Sequence, residues 1–212
     1  MAALLGNVTN AELPTSLPSH HIMAMPITLR RFTVDDVDAF PDDGNRYELL
    51  DGVLLVTPAP GLPHQTVATQ LAAILTTFLS EERDIRVWAP GVLLIRPGVK
   101  LEPDVLVGRL PSTGARWEDV PEHWLAVEVS GTSSRVYDRD YKRDGYLDLG
   151  VREVWLVDLD AERVLVSRPS APRDVPHDSV LTWPSPGSGR ELRLDVGALF
   201  RGVPREDRPA RP

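Results

Sequence analysis

The chain has no cysteine, which removes disulfides, thiolate metal sites and cysteine nucleophiles from its chemistry. It also lacks any run of about 18 apolar residues, the length a bilayer-spanning helix needs, so no membrane span is expected. Basic residues do not predominate: 23 Lys and Arg stand against 31 Asp and Glu, for a formal net charge of −8. That balance argues against a broad, electrostatically driven nucleic-acid binder, while leaving room for a local basic groove. Aromatic residues make up 6% of the chain, too few for an aromatic sugar platform, which counts against glycosidase chemistry, another use of paired carboxylates. No internal repeat is visible. The opening MAALLGNVTN has a very short apolar patch and no basic start, so no signal peptide and a cytoplasmic location are expected.

What is present is the composition of an ordinary soluble protein, 42% apolar and 25% charged. With 212 residues, a single domain with a small appendage is expected to bury roughly 70% of its unfolded surface. The 20 prolines gather near both ends, in ELPTSLPSH, SRPSAPRDVPHD, WPSPGSG and RPARP. There they break periodicity and favour extended or disordered chain. The expected organisation is a disordered or extended segment over 1–27, an ordered domain over 28–200 and a flexible tail over 201–212.

In FTVDDVDAF, Thr33 and Asp36 are spaced as a capping box at a short helix start. RYELLDGVLLVTP reads as a hairpin turning at Asp51-Gly52. Beyond Pro63, the residues Val67, Leu71, Ile74, Leu75, Phe78 and Leu79 form one helical stripe. Strands are expected at IRVWA, VLLIR, PDVLVG and LAVEVS, then a helix over VYDRDYKRDGYLDLG ending near Gly150, then strands at REVWLVDLD and RVLVSR. The fold class is α/β or α+β, a mixed sheet flanked by helices.

Two of these strands carry acids. Asp104 follows a proline at the head of the apolar PDVLVG, and Glu128 lies inside LAVEVS. Alternation puts Trp124, Ala126, Glu128 and Ser130 on one face, and Asp104 with Leu106 on one face of its own strand. If the strands pair, the two acids converge at one end of the sheet. Carboxylates in an apolar setting must be neutralised, hydrogen-bonded or bound to a cation, and oxygen-only ligation suits magnesium or manganese. A turn-capping Asp104 and an arginine-paired Glu128 would give the same pattern, so the acids alone decide nothing. Asp138, Lys142, Tyr146 and Leu149 share one side of the following helix. Lys142 can therefore turn toward the acids, or stay solvated beside Asp138.

Taken together, RYELLDG, the PH pair opening a helix, EPDVLV, LAVEVS, YDRDYKRDGY and GVREVWLVD resemble the "putative restriction endonuclease" family of bacterial proteins, within the PD-(D/E)XK nuclease superfamily. The resemblance implies a restriction-endonuclease-like core and a metal-dependent endonuclease acting on DNA. It implies Mg2+ or Mn2+ held by Asp104, Glu128 and the Val129 carbonyl, with Glu48 in YELLDG as a further ligand. Where the superfamily motif carries lysine, two residues after the second acid, this chain has Ser130. Lys142 matches the position from which the following helix supplies that lysine instead. His64 matches a family position suited to a phosphate or water contact. Ser130, Arg135, Arg139 and Arg143 stand as further substrate contacts, although the interleaved Asp138, Asp140 and Asp144 offer the arginines solvated ion pairs. A homodimer is expected from the small core, the strand-forming tail and the two strands of DNA. The competing reading is a nuclease-fold binding or regulatory module without turnover.

Overall fold

The computed structural model describes residues 31–131 and 141–204. The first helix, α1 (Val34–Asp38), starts as expected: Thr33 accepts from the Asp36 N–H, and Asp36 reaches back to the Thr33 N–H. The strands β1 (Asn45–Leu50) and β2 (Val53–Pro58) pair antiparallel. Asp51 and Gly52 turn between them with φ of 50° and 79°, the left-handed pair a two-residue hairpin demands. Helix α2 (Leu62–Phe78) follows, with Pro63 in its first turn.

Next come β3 (Ile85–Trp88), β4 (Val105–Arg109), a 3-10 turn at Trp117–Asp119, and β5 (His123–Ser130). After α3 (Arg143–Asp148) the chain forms β6 (Glu153–Asp158), β7 (Arg163–Ser167), β8 (Val175–His177), β9 (Val180–Pro184), β10 (Glu191–Asp195) and α4 (Val196–Leu199). The main sheet has six strands in the order β3-β4-β5-β6-β7-β8. Only β5 and β6 run parallel, and between them the chain crosses over through α3, as parallel neighbours require. This is the expected mixed sheet flanked by helices.

Alternation along the strands divides the interior in two. Val105, Val107, Leu125, Val127, Val129, Trp155 and Val157 face the stripe of α2, the β9–β10 hairpin and α4. Leu106, Ala126, Val154, Leu156 and Leu165 face α3, the β1–β2 hairpin and the segment carrying Leu93, Val99 and Leu101. The carboxylates belong to this second face.

Three expectations need correction. VLLIR forms no strand, only a single bridge from Leu93 to Leu101: of its apolar residues Leu93 alone is buried in the core, and Ile95 is exposed. Trp124 does not share the Glu128 face, because the β4–β5 register slips by one residue between Val107 and Gly108. That bulge inserts an extra β5 residue and turns Trp124 to the side of Leu125. The proline-punctuated region after Ser167 is ordered sheet through β8, β9 and β10, with Leu181, Trp183, Leu192 and Leu194 buried in the core. Of the helix expected over 136–150, residues 136–140 lie outside the described residues, and the rest forms a π-type turn at 141–142 followed by α3. Its C-terminus follows expectation: Gly150 has φ of 89°, and Val151 donates to the Tyr146 carbonyl at 3.0 Å.

Candidate active site

The antiparallel register of β4 and β5 sets Val105 opposite Val127 and Leu106 opposite Ala126. Continued by one residue, it sets Asp104 opposite Glu128, and directly opposed residues project to the same side. Asp104 is fixed further by the backbone of β5: its Oδ2 accepts the Val129 N–H at 2.8 Å. Pro103 has no N–H to donate, which suits the point where the chain enters the sheet.

Three elements converge on this pair. From α2's first turn, His64 brings Nε2 to 3.0 Å from Asp104 Oδ2. From β1, Arg46 donates through Nη1 to Asp104 Oδ1 at 3.0 Å and to the Glu102 carbonyl at 3.2 Å. Two residues on, and so on the same side of β1, Glu48 accepts the Glu102 N–H through Oε1 at 2.8 Å. The hairpin thus holds the backbone N–H and C=O of Glu102, just ahead of Asp104. From the start of α3, Lys142 Nζ lies 2.7 Å from Glu128 Oε1 and 3.0 Å from Glu48 Oε2. Tyr146, one turn further along, donates its hydroxyl to the same Glu128 Oε1.

Glu48, Asp104, Glu128, Lys142 and Tyr146 are all buried. Enclosed charges cost several kcal/mol each (~3–5 when a partner is removed), and that cost is offset only by close pairing and hydrogen bonds. Burial pushes the Asp104 carboxyl up, yet the contacts of His64, Arg46 and the Val129 N–H overcome it and hold the group below its ordinary range. Burial likewise works against the Arg46 charge, and the fields of Asp104, Glu128 and Glu48 overturn it, raising the guanidinium above its usual value. Burial first, then the charges of Glu128 and Glu48, push Tyr146 well up, which keeps it a neutral donor.

The residues fit a hard divalent cation. The donors are oxygens of opposed, buried carboxylates, and Glu48 Oε2 faces the Lys142 ammonium at 3.0 Å. Among the described residues there is no group of three or more acidic or imidazole side chains that could hold a metal ion. Magnesium does not require one, since it is commonly held by one or two carboxylates with water and substrate phosphate completing the shell.

Of the residues singled out by sequence, Asp104, Glu128, Glu48, Lys142 and His64 are brought together. Ser130 is buried at the end of β5, opposite Asp158 of β6. Arg143 is engaged elsewhere: its guanidinium bonds Asp174 at 2.6 Å and Asp144 at 3.0 Å. Arg135 and Arg139 lie outside the described residues. Arg46 and Tyr146 were missed as site residues. For Tyr146 the available signal was its spacing, one helical turn after Lys142.

The mixed six-stranded sheet flanked by helices matches a nuclease-like fold. A family model described as "Putative restriction endonuclease" (Uma2) matches residues 34–196, and the chain belongs to that family. Its fold is similar to that of a "putative nuclease belonging to DUF820" from Anabaena variabilis ATCC 29413, with a TM-score of 0.64 and 18% identity over 80% of this chain and 97% of that one. No curated protein matches the chain at a significant level. No described helix is long and apolar enough to cross a membrane.

Proposed function

We propose that this protein is a metal-dependent endonuclease of the PD-(D/E)XK type that hydrolyses phosphodiester bonds in DNA. The observation that carries the reading is the buried Lys142 ammonium, 2.7 Å from Glu128 and 3.0 Å from Glu48. It supports a lysine supplied from the helix in place of the one absent at Ser130.

Asp104, Glu128 and the Val129 carbonyl would hold Mg2+ or Mn2+, with Glu48 as a further ligand directly or through water. When bound, the ion supplies Lewis-acid charge and lowers the pKa of water. Arg46, His64 and the Val129 N–H keep Asp104 ionised and fixed in direction. Lys142 and Tyr146 fix the direction of Glu128. The Lys142 ammonium orients the attacking water and offsets charge that builds on the phosphate oxygens, an interaction strengthened by exclusion of bulk water. Glu48 Oε2, beside Lys142 Nζ, accepts a hydrogen bond from the same water. The experiment is cleavage of double-stranded, single-stranded and branched DNA and of RNA in Mg2+ and in Mn2+, with Glu128→Ala as the blank. Divalent-dependent DNA cleavage absent from the blank is expected; a preparation whose activity survives in Glu128→Ala would contradict the reading.

We further propose a homodimer. The basis is the twofold relation of the two DNA strands, since Leu181, Trp183, Leu192 and Leu194 of the C-terminal strands are already buried against their own core.

A further inference from the structure

Both oxygens of Asp104 are occupied in the free protein: Oδ2 by Val129 N–H and His64, and Oδ1 by Arg46. A divalent cation drawn to Asp104 therefore meets a guanidinium on one of its two oxygens. Two cations on one oxygen repel, so the arginine must move or the ion must bind weakly. Arg46 is built to move. Its Nη1 is also anchored on the Glu102 carbonyl at 3.2 Å, a contact that does not depend on the carboxylate. Its side chain is 20% exposed, whereas that of Asp104 is 3% exposed and that of Lys142 is 2% exposed. Of these two cations, Lys142 is enclosed and Arg46 is the one that reaches solvent, where a nucleic-acid backbone must arrive. A guanidinium has five donors in a planar fork that suits two phosphate oxygens, which an ammonium cannot reproduce.

We propose that Arg46 exchanges partners: in the free protein it neutralises Asp104, and on loading it releases Asp104 Oδ1 to the metal and takes a non-bridging oxygen of the phosphodiester, still held by the Glu102 carbonyl. This rests on the nuclease reading and adds a consequence that reading does not contain. Metal and phosphodiester assist one another, because each supplies what the other's arrival removes: the metal replaces Arg46 at Asp104, and the phosphate replaces Asp104 at Arg46. Linkage makes the effect reciprocal.

The test is a Mn2+ titration followed by calorimetry, with and without a duplex deoxyoligonucleotide whose linkages are non-hydrolysable methylene phosphonates. Wild type, Arg46→Gln, Arg46→Lys and Asp104→Asn are compared, each checked for a cooperative thermal transition. In wild type the duplex should tighten Mn2+ by about tenfold, within the usual range for coupled sites. Arg46→Gln should bind Mn2+ alone more tightly than wild type and lose most of the coupling. Arg46→Lys, which keeps the charge without the fork, should retain only part of it. If Arg46→Gln does not fold, Arg46→Lys decides, and wild-type coupling in that variant overturns the proposal. Unchanged Mn2+ affinity and coupling in Arg46→Gln, with binding lost in Asp104→Asn, would also overturn it while leaving the metal site standing. Mn2+ binding indifferent to Asp104→Asn would remove the metal reading and this proposal together.

Discussion

Lys142 and Tyr146, four residues apart, bring an ammonium and a hydroxyl to the same oxygen, Oε1 of Glu128. A carboxylate gripped twice by one helix cannot rotate freely, so the direction of Glu128 is set by α3 as much as by β5. Tyr146→Phe removes one donor from a buried, charged acceptor. Such a loss costs about 1.5–3 kcal/mol, to be read from urea unfolding. Because Lys142 remains on the same oxygen, cleavage should fall less than in Lys142→Ala. A Tyr146→Phe variant of wild-type stability and rate would show that the contact does not orient Glu128.

His123 offers a pH dependence remote from the carboxylates, at the other end of β5. Burial lowers its pKa from the ordinary value near 6.5, and its Nε2 has no hydrogen-bond partner. The folded state therefore prefers neutral His123 while the unfolded state takes up a proton sooner. Its contribution to stability is fully present above about pH 6.5 and is lost as pH falls through the lowered folded value, with a slope of at most about 1.4 kcal/mol per pH unit. Unfolding free energies at pH 7.5 and 5.5 should show a larger acid loss in wild type than in His123→Phe. Equal losses in the two proteins would contradict this.

The proposed homodimer predicts a twofold mass by light scattering at tens of micromolar protein. A monomeric mass under those conditions removes it without touching the cleavage chemistry.

The carboxylate pair was legible because strand periodicity carries side information: one proline before Asp104 and one acid within LAVEVS put both groups on the same sheet face. Lys142 was legible through the family resemblance, since its helical spacing alone left a solvated pairing with Asp138 open. Arg46 was not, because an arginine at a strand head reads as a solvated charge until the β1–β2 hairpin is known to lie over the Glu102–Asp104 segment. The bulge at Trp124 left no mark, since a one-residue slip depends on the neighbouring strand and not on local composition. The last three strands were obscured by prolines, which break a window of periodicity without preventing short strands. VLLIR reads as a strand by composition, and tertiary packing placed it in a loop.

The most direct measurement is cleavage by Lys142→Ala, compared with wild type and Glu128→Ala, with Mn2+ binding and thermal melting recorded on the same preparations. If Lys142 supplies the charge that the motif places at the position of Ser130, the variant should lose two to three decades in rate, about 3–4 kcal/mol, while still folding and binding metal. Adding Ser130→Lys should recover part of that loss, and only part, because Ser130 is buried and the new stem approaches from the sheet. Wild-type cleavage by Lys142→Ala, in conditions where Glu128→Ala is inactive, would contradict the account.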